Sequence, residues 1–258
     1  MAKRLLITAF TFFILVGSAT AQKFQLSNFK VGLKGGITLS DFTKNVGFFD
    51  QNSPNYRNSP YAAYEEYFRI GALAGITLDY EFSKAFTVGT ELLHNGRGGA
   101  YRVENSSVAI ITNNGAEKAY NYYQYRINYL ELPLLAQYNL SSKATSSIAL
   151  IVYGGVAPGF PTTEKITYTN YERSGVIDAK QTSQSEDLYN VRGFNLSPTF
   201  GFKIRGNDAD GPNRVYLDFR FARTVLPVFT IEADGNGNNF KTGMWTASFA
   251  VGARLNRN

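Results

Sequence analysis

Apolar and polar residues alternate with a period of two over long stretches of this chain. The clearest stretch runs from Phe68 to Phe82: every even position is apolar, and the odd ones are Arg69, Gly71, Leu73, Gly75, Thr77, Asp79 and Glu81. Successive side chains of a strand point to opposite faces, whereas a helix would mix the two sets, so the pattern predicts a strand. The same alternation returns along Phe29–Leu39, Phe194–Ile204, Val215–Phe221 and Ala247–Leu255, and with less contrast over residues 86–97 and 148–158. The segment Gln124–Leu140 changes phase. Its apolar residues are odd through Tyr129 and even from Leu130, which predicts a β-bulge near Tyr129-Leu130, with Pro133 interrupting the ladder nearby.

Eight strands result, at about 28–42, 67–82, 85–99, 122–140, 147–160, 191–206, 213–228 and 241–256. Their connections alternate between short polar turns (Ser83-Lys84, Ser141–Ser146, Asn207–Pro212) and longer segments (43–66, 100–121, 161–190, 229–240). Outer-membrane barrels have this asymmetry, with short periplasmic turns and long extracellular loops. The expected fold is all-β: an eight-stranded antiparallel up-and-down transmembrane β-barrel with both termini on the periplasmic side.

A soluble sandwich would also accept alternating strands, but with the apolar set inside. Strand length favours the membrane. Soluble strands usually have about 5–6 residues, whereas a tilted membrane strand needs about 9–11 in the hydrocarbon. The polar set carries charges of both signs: Arg69, Asp79, Glu81, Glu91, Glu131, Lys203, Arg205, Asp218, Arg220 and Arg254. In a membrane barrel these face the lumen, where acids and bases can pair, and they are the expected lumen charge network. Closure satisfies strand edges that hydrocarbon could not. Tyr61, Tyr64, Tyr67, Tyr80, Phe82, Tyr120, Tyr122, Tyr123, Tyr138 and Tyr153 are the expected interfacial girdles.

The amino terminus is different. Lys3 and Arg4 precede an apolar run from Leu5 to Gly17, and Ser18-Ala19-Thr20-Ala21 offers small residues before Gln22. That layout predicts a secretory signal peptide over 1–21 and a barrel domain over 22–258. The run is too short for a spanning helix.

Composition narrows the chemistry. The 258 residues include no Cys and one His, so there is no disulfide framework, no thiolate nucleophile and no histidine-rich metal site. The net charge of +6 is mild, and an exported protein seldom meets nucleic acid, so no nucleic-acid partner is expected. His94 is placed near the outer end of the third strand, where no Ser at a catalytic spacing accompanies it. It reads as a rim histidine. The run Asp234-Gly235-Asn236-Gly237-Asn238 begins like a calcium loop, but Asn239 and Trp245 occupy the positions that need Gly and Glu, so it reads as a turn. No catalytic, metal-binding or cofactor-binding residue is expected, and no enzyme activity.

Two segments resemble a known family. Val31-Gly32-Leu33-Lys34-Gly35-Gly36-Ile37-Thr38-Leu39-Ser40 is similar to the first strand of the PorT-like outer-membrane β-barrel family of Bacteroidetes-type bacteria. Tyr129-Leu130-Glu131-Leu132-Pro133-Leu134-Leu135 is similar to that family's Tyr-Leu-Glu-aliphatic-Pro segment. The resemblance implies a porin-like outer-membrane barrel with no catalytic residues. One member type serves a protein-secretion system. The expected role is a non-enzymatic barrel whose long loops bind at the surface or support envelope assembly or secretion, with a narrow channel as the alternative. The expected partners are outer-membrane lipid and another envelope or extracellular protein.

Overall fold

The computed structural model describes residues 28–43, 64–112, 115–141, 148–174, 178–188, 190–206, 214–229 and 242–255. The signal segment 1–21, Tyr61 and the calcium-like run from Asp234 lie outside them. The elements are β1 (Phe29–Phe42), β2 (Tyr64–Tyr67), β3 (Arg69–Glu81), β4 (Phe86–Thr112), β5 (Gly115–Glu131), β6 (Leu134–Asn139), β7 (Ile148–Ser174), β8 (Asp178–Asp187), β9 (Asn195–Gly206), β10 (Val215–Arg223) and β11 (Met244–Arg254).

Every ladder is antiparallel, and the ring closes where β1 pairs with β11. The staves run β1, β3, β4, β5 with β6, β7, β9, β10, β11. β5 and β6 are one stave, broken because Pro133 has no N–H for the ladder. Glu91 N–H still donates to the Pro133 carbonyl at 3.1 Å, and Leu132 N–H to the Pro158 carbonyl at 2.9 Å. The fold is thus an eight-stranded up-and-down barrel.

Its proportions follow from the register. A path around the ring from Leu33 passes Ile76, Leu92, Leu132, Pro158, Leu196, Val225 and Gly243, and meets β1 again at Thr43, ten residues above its start. With a rise of about 3.3 Å per residue and strands about 4.8 Å apart, that stagger corresponds to a tilt of about 40° and a backbone radius of about 8 Å.

The outward face is apolar. Ile70 is 67% exposed, and Leu78 and Phe202 are each 38% exposed; Phe219 lies on the same face, stacked 4.8 Å from Phe202. Near the short turns Phe29, Tyr80, Phe82 and Phe86 form a chain of ring contacts at 4.9, 4.7 and 5.9 Å. At the other end Phe68 meets Trp245 at 5.2 Å, and Phe160 meets Phe194 at 5.4 Å. Tyr153 does not join a girdle. It occupies an inward position of β7, and burial leaves it 5% exposed.

Other expectations also need correction. The connections over 100–121 and 161–190 are largely strands: β4 and β5 run on as a hairpin to Thr112 and Gly115, and β7 and β8 to Ser174 and Asp178. With β2 they form a five-strand sheet, β2-β4-β5-β7-β8, standing above one side of the barrel. The pair Gly98-Gly99, read as the end of a strand, lies within β4. Gly98 has φ 150°, and a Cβ there would stand 1.8 Å from the Tyr125 carbonyl oxygen.

A bulge does interrupt the ladder at Tyr129, as expected, but its extra residue is on the partner strand. The β5–β7 register steps from Asn128↔Thr163 to Tyr129↔Pro161, so Thr162 on β7 is the extra residue. Along β5 and β6 the inward set keeps one phase through Tyr125, Ile127, Tyr129, Glu131, Leu135 and Gln137. The change in the sequence pattern instead marks a change in what fills the lumen, from aromatic to polar.

Candidate functional site: the lumen and the sheet above it

Midway down the lumen, Lys34 on β1 stands 2.5 Å from Asp218 on β10 and 3.2 Å from Glu91 on β4. Arg220 reaches the same Glu91 at 2.7 Å. The Tyr153 hydroxyl donates to Asp218 and accepts from Arg220 Nε at 3.2 Å. Beside them Lys203 donates to Gln137 at 2.9 Å, and Gln137 donates to Asp79 at 2.6 Å. Burying a charge costs several kcal/mol unless it is paired, and here two acids and two bases interlock.

A second group lies above. Arg97 on β4 is 2.5 Å from Glu131 on β5, and Asn95 donates to that carboxylate at 3.0 Å. Arg69 donates to the Arg97 carbonyl at 2.9 Å. Near the short turns Arg254 pairs with Glu81 at 2.9 Å, with Arg205 on the lumen face nearby.

All ten charged residues expected in the lumen are on its wall, but they form three groups rather than one network. The lumen groups also contain Lys34, Gln137, Arg97 and Tyr153, none of them in the expected charge network and the last expected in a girdle. Lys34 shares the phase of Lys30 and Thr38, a usable signal. Arg97 was hidden among the glycines 96, 98 and 99.

Above the charges the lumen turns aromatic. Phe42, Tyr101, Tyr125, Ile127, Tyr129, Ile166, Leu188, Val228, Phe229 and Met244 make one buried cluster. Phe42 packs on Tyr125 at 5.7 Å and on Phe229 at 5.5 Å, and Tyr101 packs on Tyr125 at 5.8 Å. The described side chains therefore fill the lumen in layers.

The sheet above has unlike faces. Tyr101, Tyr123 and Tyr168 continue the lumen face, with Tyr123 and Tyr168 edge-to-face at 5.5 Å. The other face carries the row Glu65, Arg102, Tyr122, Thr169, Ser183. Arg102 lies over the Tyr120 ring at 4.4 Å and the Tyr67 ring at 5.0 Å, and its Nε donates to Glu65 at 2.8 Å. The Tyr67 hydroxyl also donates to Glu65, at 2.8 Å. Donation from Tyr67, then from Arg102, holds the Glu65 carboxyl below the usual carboxylate range.

His94 corrects its rim assignment. β4 continues to Thr112, and His94 faces outward in register with Ala74 and Leu130. Among the described residues no group of three or more His, Asp or Glu could hold a metal ion.

A family model for the outer membrane protein beta-barrel domain matches residues 20–229. The chain belongs to this family. It is an integral β-barrel protein of the bacterial outer membrane. No curated protein matches it. Similar solved structures include the outer membrane protein OprG of Pseudomonas aeruginosa (12% identity, 88% of this chain and 96% of that one, TM-score 0.39). Others are the Neisserial surface protein A (10%, 88% and 97%, 0.36) and Ail, the attachment invasion locus protein of Yersinia pestis (11%, 88% and 98%, 0.35).

Proposed function

We propose that this barrel is a non-enzymatic, non-conducting outer-membrane support for the five-strand sheet above it, and that the sheet binds another envelope or extracellular protein. The supporting observation is the continuity of β4, β5 and β7 from the lipid belt into that sheet, which gives a surface rich in Tyr, Arg, Thr and Ser a rigid base. Rigid aromatic surface with adaptable hydroxyls suits protein contact. Export runs through the signal segment 1–21, and the short turns face the periplasm. PorT-like membership, carried by the Val31–Ser40 and Tyr129–Leu135 motifs, makes secretion support the specific form of this role.

The test is a photo-crosslinker at Tyr122, compared between full-length chain and a variant in which both hairpins are cut back to tight turns at the barrel rim and the crosslinker is moved to that rim. A protein adduct on whole cells with the full chain and none with the shortened barrel is the expected outcome. The same adduct on both, or none on either, removes the sheet as the binding surface.

A further inference from the structure

The outward surface of the β5–β6 stave and β7 changes character in steps. In the apolar part of the column Leu134 faces Val156 and Leu130 faces Phe160, all exposed. Above them come Asn128 with Thr163, then Arg126 with Lys165. Arg126 and Lys165 are directly opposite and both exposed. Like charges placed so repel. Among the described residues neither is in an ion pair, although most buried lumen cations are. Asp187 stands across from Lys165 on β8 and has an interaction of its own. Arg69, behind the same wall, adds positive charge near enough to act on Arg126.

Height fixes the kind of anion. Arg126 is four residues above Leu130, or about 10 Å above the belt at the barrel's tilt. Long basic side chains reach back along an apolar surface while their heads stay in water. A phosphate at the headgroup level is within that reach, and the apolar column below fits acyl chains. We propose that this column binds a phosphate-bearing anionic lipid of the outer leaflet, its phosphate between Arg126 and Lys165 and its chains against Leu130 and Phe160. Asn128 and Thr163 offer hydrogen bonds at the level between. The bulge at Thr162, whose hydroxyl donates to the Asn128 carbonyl at 3.2 Å, shifts the phase of β7 so that Lys165 faces outward opposite Arg126. The site does not depend on the protein-binding role of the sheet.

The full chain in detergent micelles is offered phosphatidylglycerol or phosphatidylcholine, and retained lipid is read by native mass spectrometry. The expected result is preferential retention of phosphatidylglycerol, reduced roughly tenfold by Arg126→Gln with Lys165→Gln. Arg223→Gln, an exposed rim cation on β10, leaves it unchanged, and so does the exchange Arg126→Lys with Lys165→Arg. Heat-modifiable gel migration reports folding, and Lys165→Gln alone carries the test if the double variant does not fold. Equal retention of the two lipids, or wild-type retention by the Gln variants, overturns the proposal. Displacement by millimolar inorganic phosphate makes the pair a free-anion site and overturns the lipid assignment.

Discussion

Glu91 is the residue on which the lumen turns, because Lys34 and Arg220 both end on its carboxylate. Replacing it with Ala leaves two buried cations sharing Asp218. Removing one partner from a buried pair costs about 3–5 kcal/mol. Urea unfolding of Glu91→Ala in lipid bilayers should show a loss of that order, and adding Lys34→Met should restore part of it. A loss near that of an exposed substitution would mean the pairs carry no weight. Glu65, at the surface, gives a prediction in pH. Its carboxyl is held low in the folded state by Tyr67 and Arg102. A depressed value stabilises above the ordinary carboxylate range and is lost as pH falls through the folded value. Hydrogen-exchange protection of Tyr64–Tyr67, corrected for intrinsic rate, should therefore fall in acid, and Glu65→Gln should abolish that dependence. Protection that is flat from neutral to acid pH would separate β2 docking from this carboxylate.

Between strands, the extra Thr162 decides which way the upper half of β7 faces. Below the bulge the odd residues Ile151, Tyr153 and Ala157 face the lumen; above it the even residues Ile166 and Tyr168 do. Deleting Thr162 reverses the upper half, because a one-residue slip turns every side chain over. Ile166 would leave the aromatic cluster and Lys165 would enter it. Limited proteolysis should then cut the β7–β8 hairpin while the barrel below stays protected. Equal protection of both would show that the bulge does not set the phase. The eight staves were legible because hydrocarbon forces one face of each to be apolar. Above the belt nothing imposes that rule: Arg102 and Tyr122 face out while Tyr101 and Tyr123 face in, and the segments read as loops. The supposed phase change at Tyr129 misled for a related reason, since a period-two pattern cannot distinguish a turned strand from a face whose surroundings change. Lumen charges stood out wherever apolar neighbours framed them, as at Asp218, and disappeared among glycines, as at Arg97.

At the scale of the molecule, the proposed closure of the lumen rests on two layers in series, each acting as a seal. A backbone radius of about 8 Å leaves space for little beyond the barrel's own side chains. One seal is ionic, formed by Lys34, Glu91, Asp218 and Arg220; the other is aromatic, formed by Phe42, Tyr101, Tyr125 and Phe229. An ion crossing the lumen would have to part charge pairs and then pass an apolar layer that offers no hydration. On the proposed non-conducting reading either layer alone stops it, so single substitutions in one layer should leave planar-bilayer recordings silent, as for the wild type. Conduction should need both layers opened together, for instance Glu91→Ala and Arg220→Ala with Tyr125→Ala and Phe42→Ala, in protein shown to be folded by heat-modifiable migration. Steady openings from the wild type would refute the series arrangement. Openings from the ionic-layer variant alone would show that the aromatic cluster is no seal, and would move the barrel toward the narrow-channel alternative.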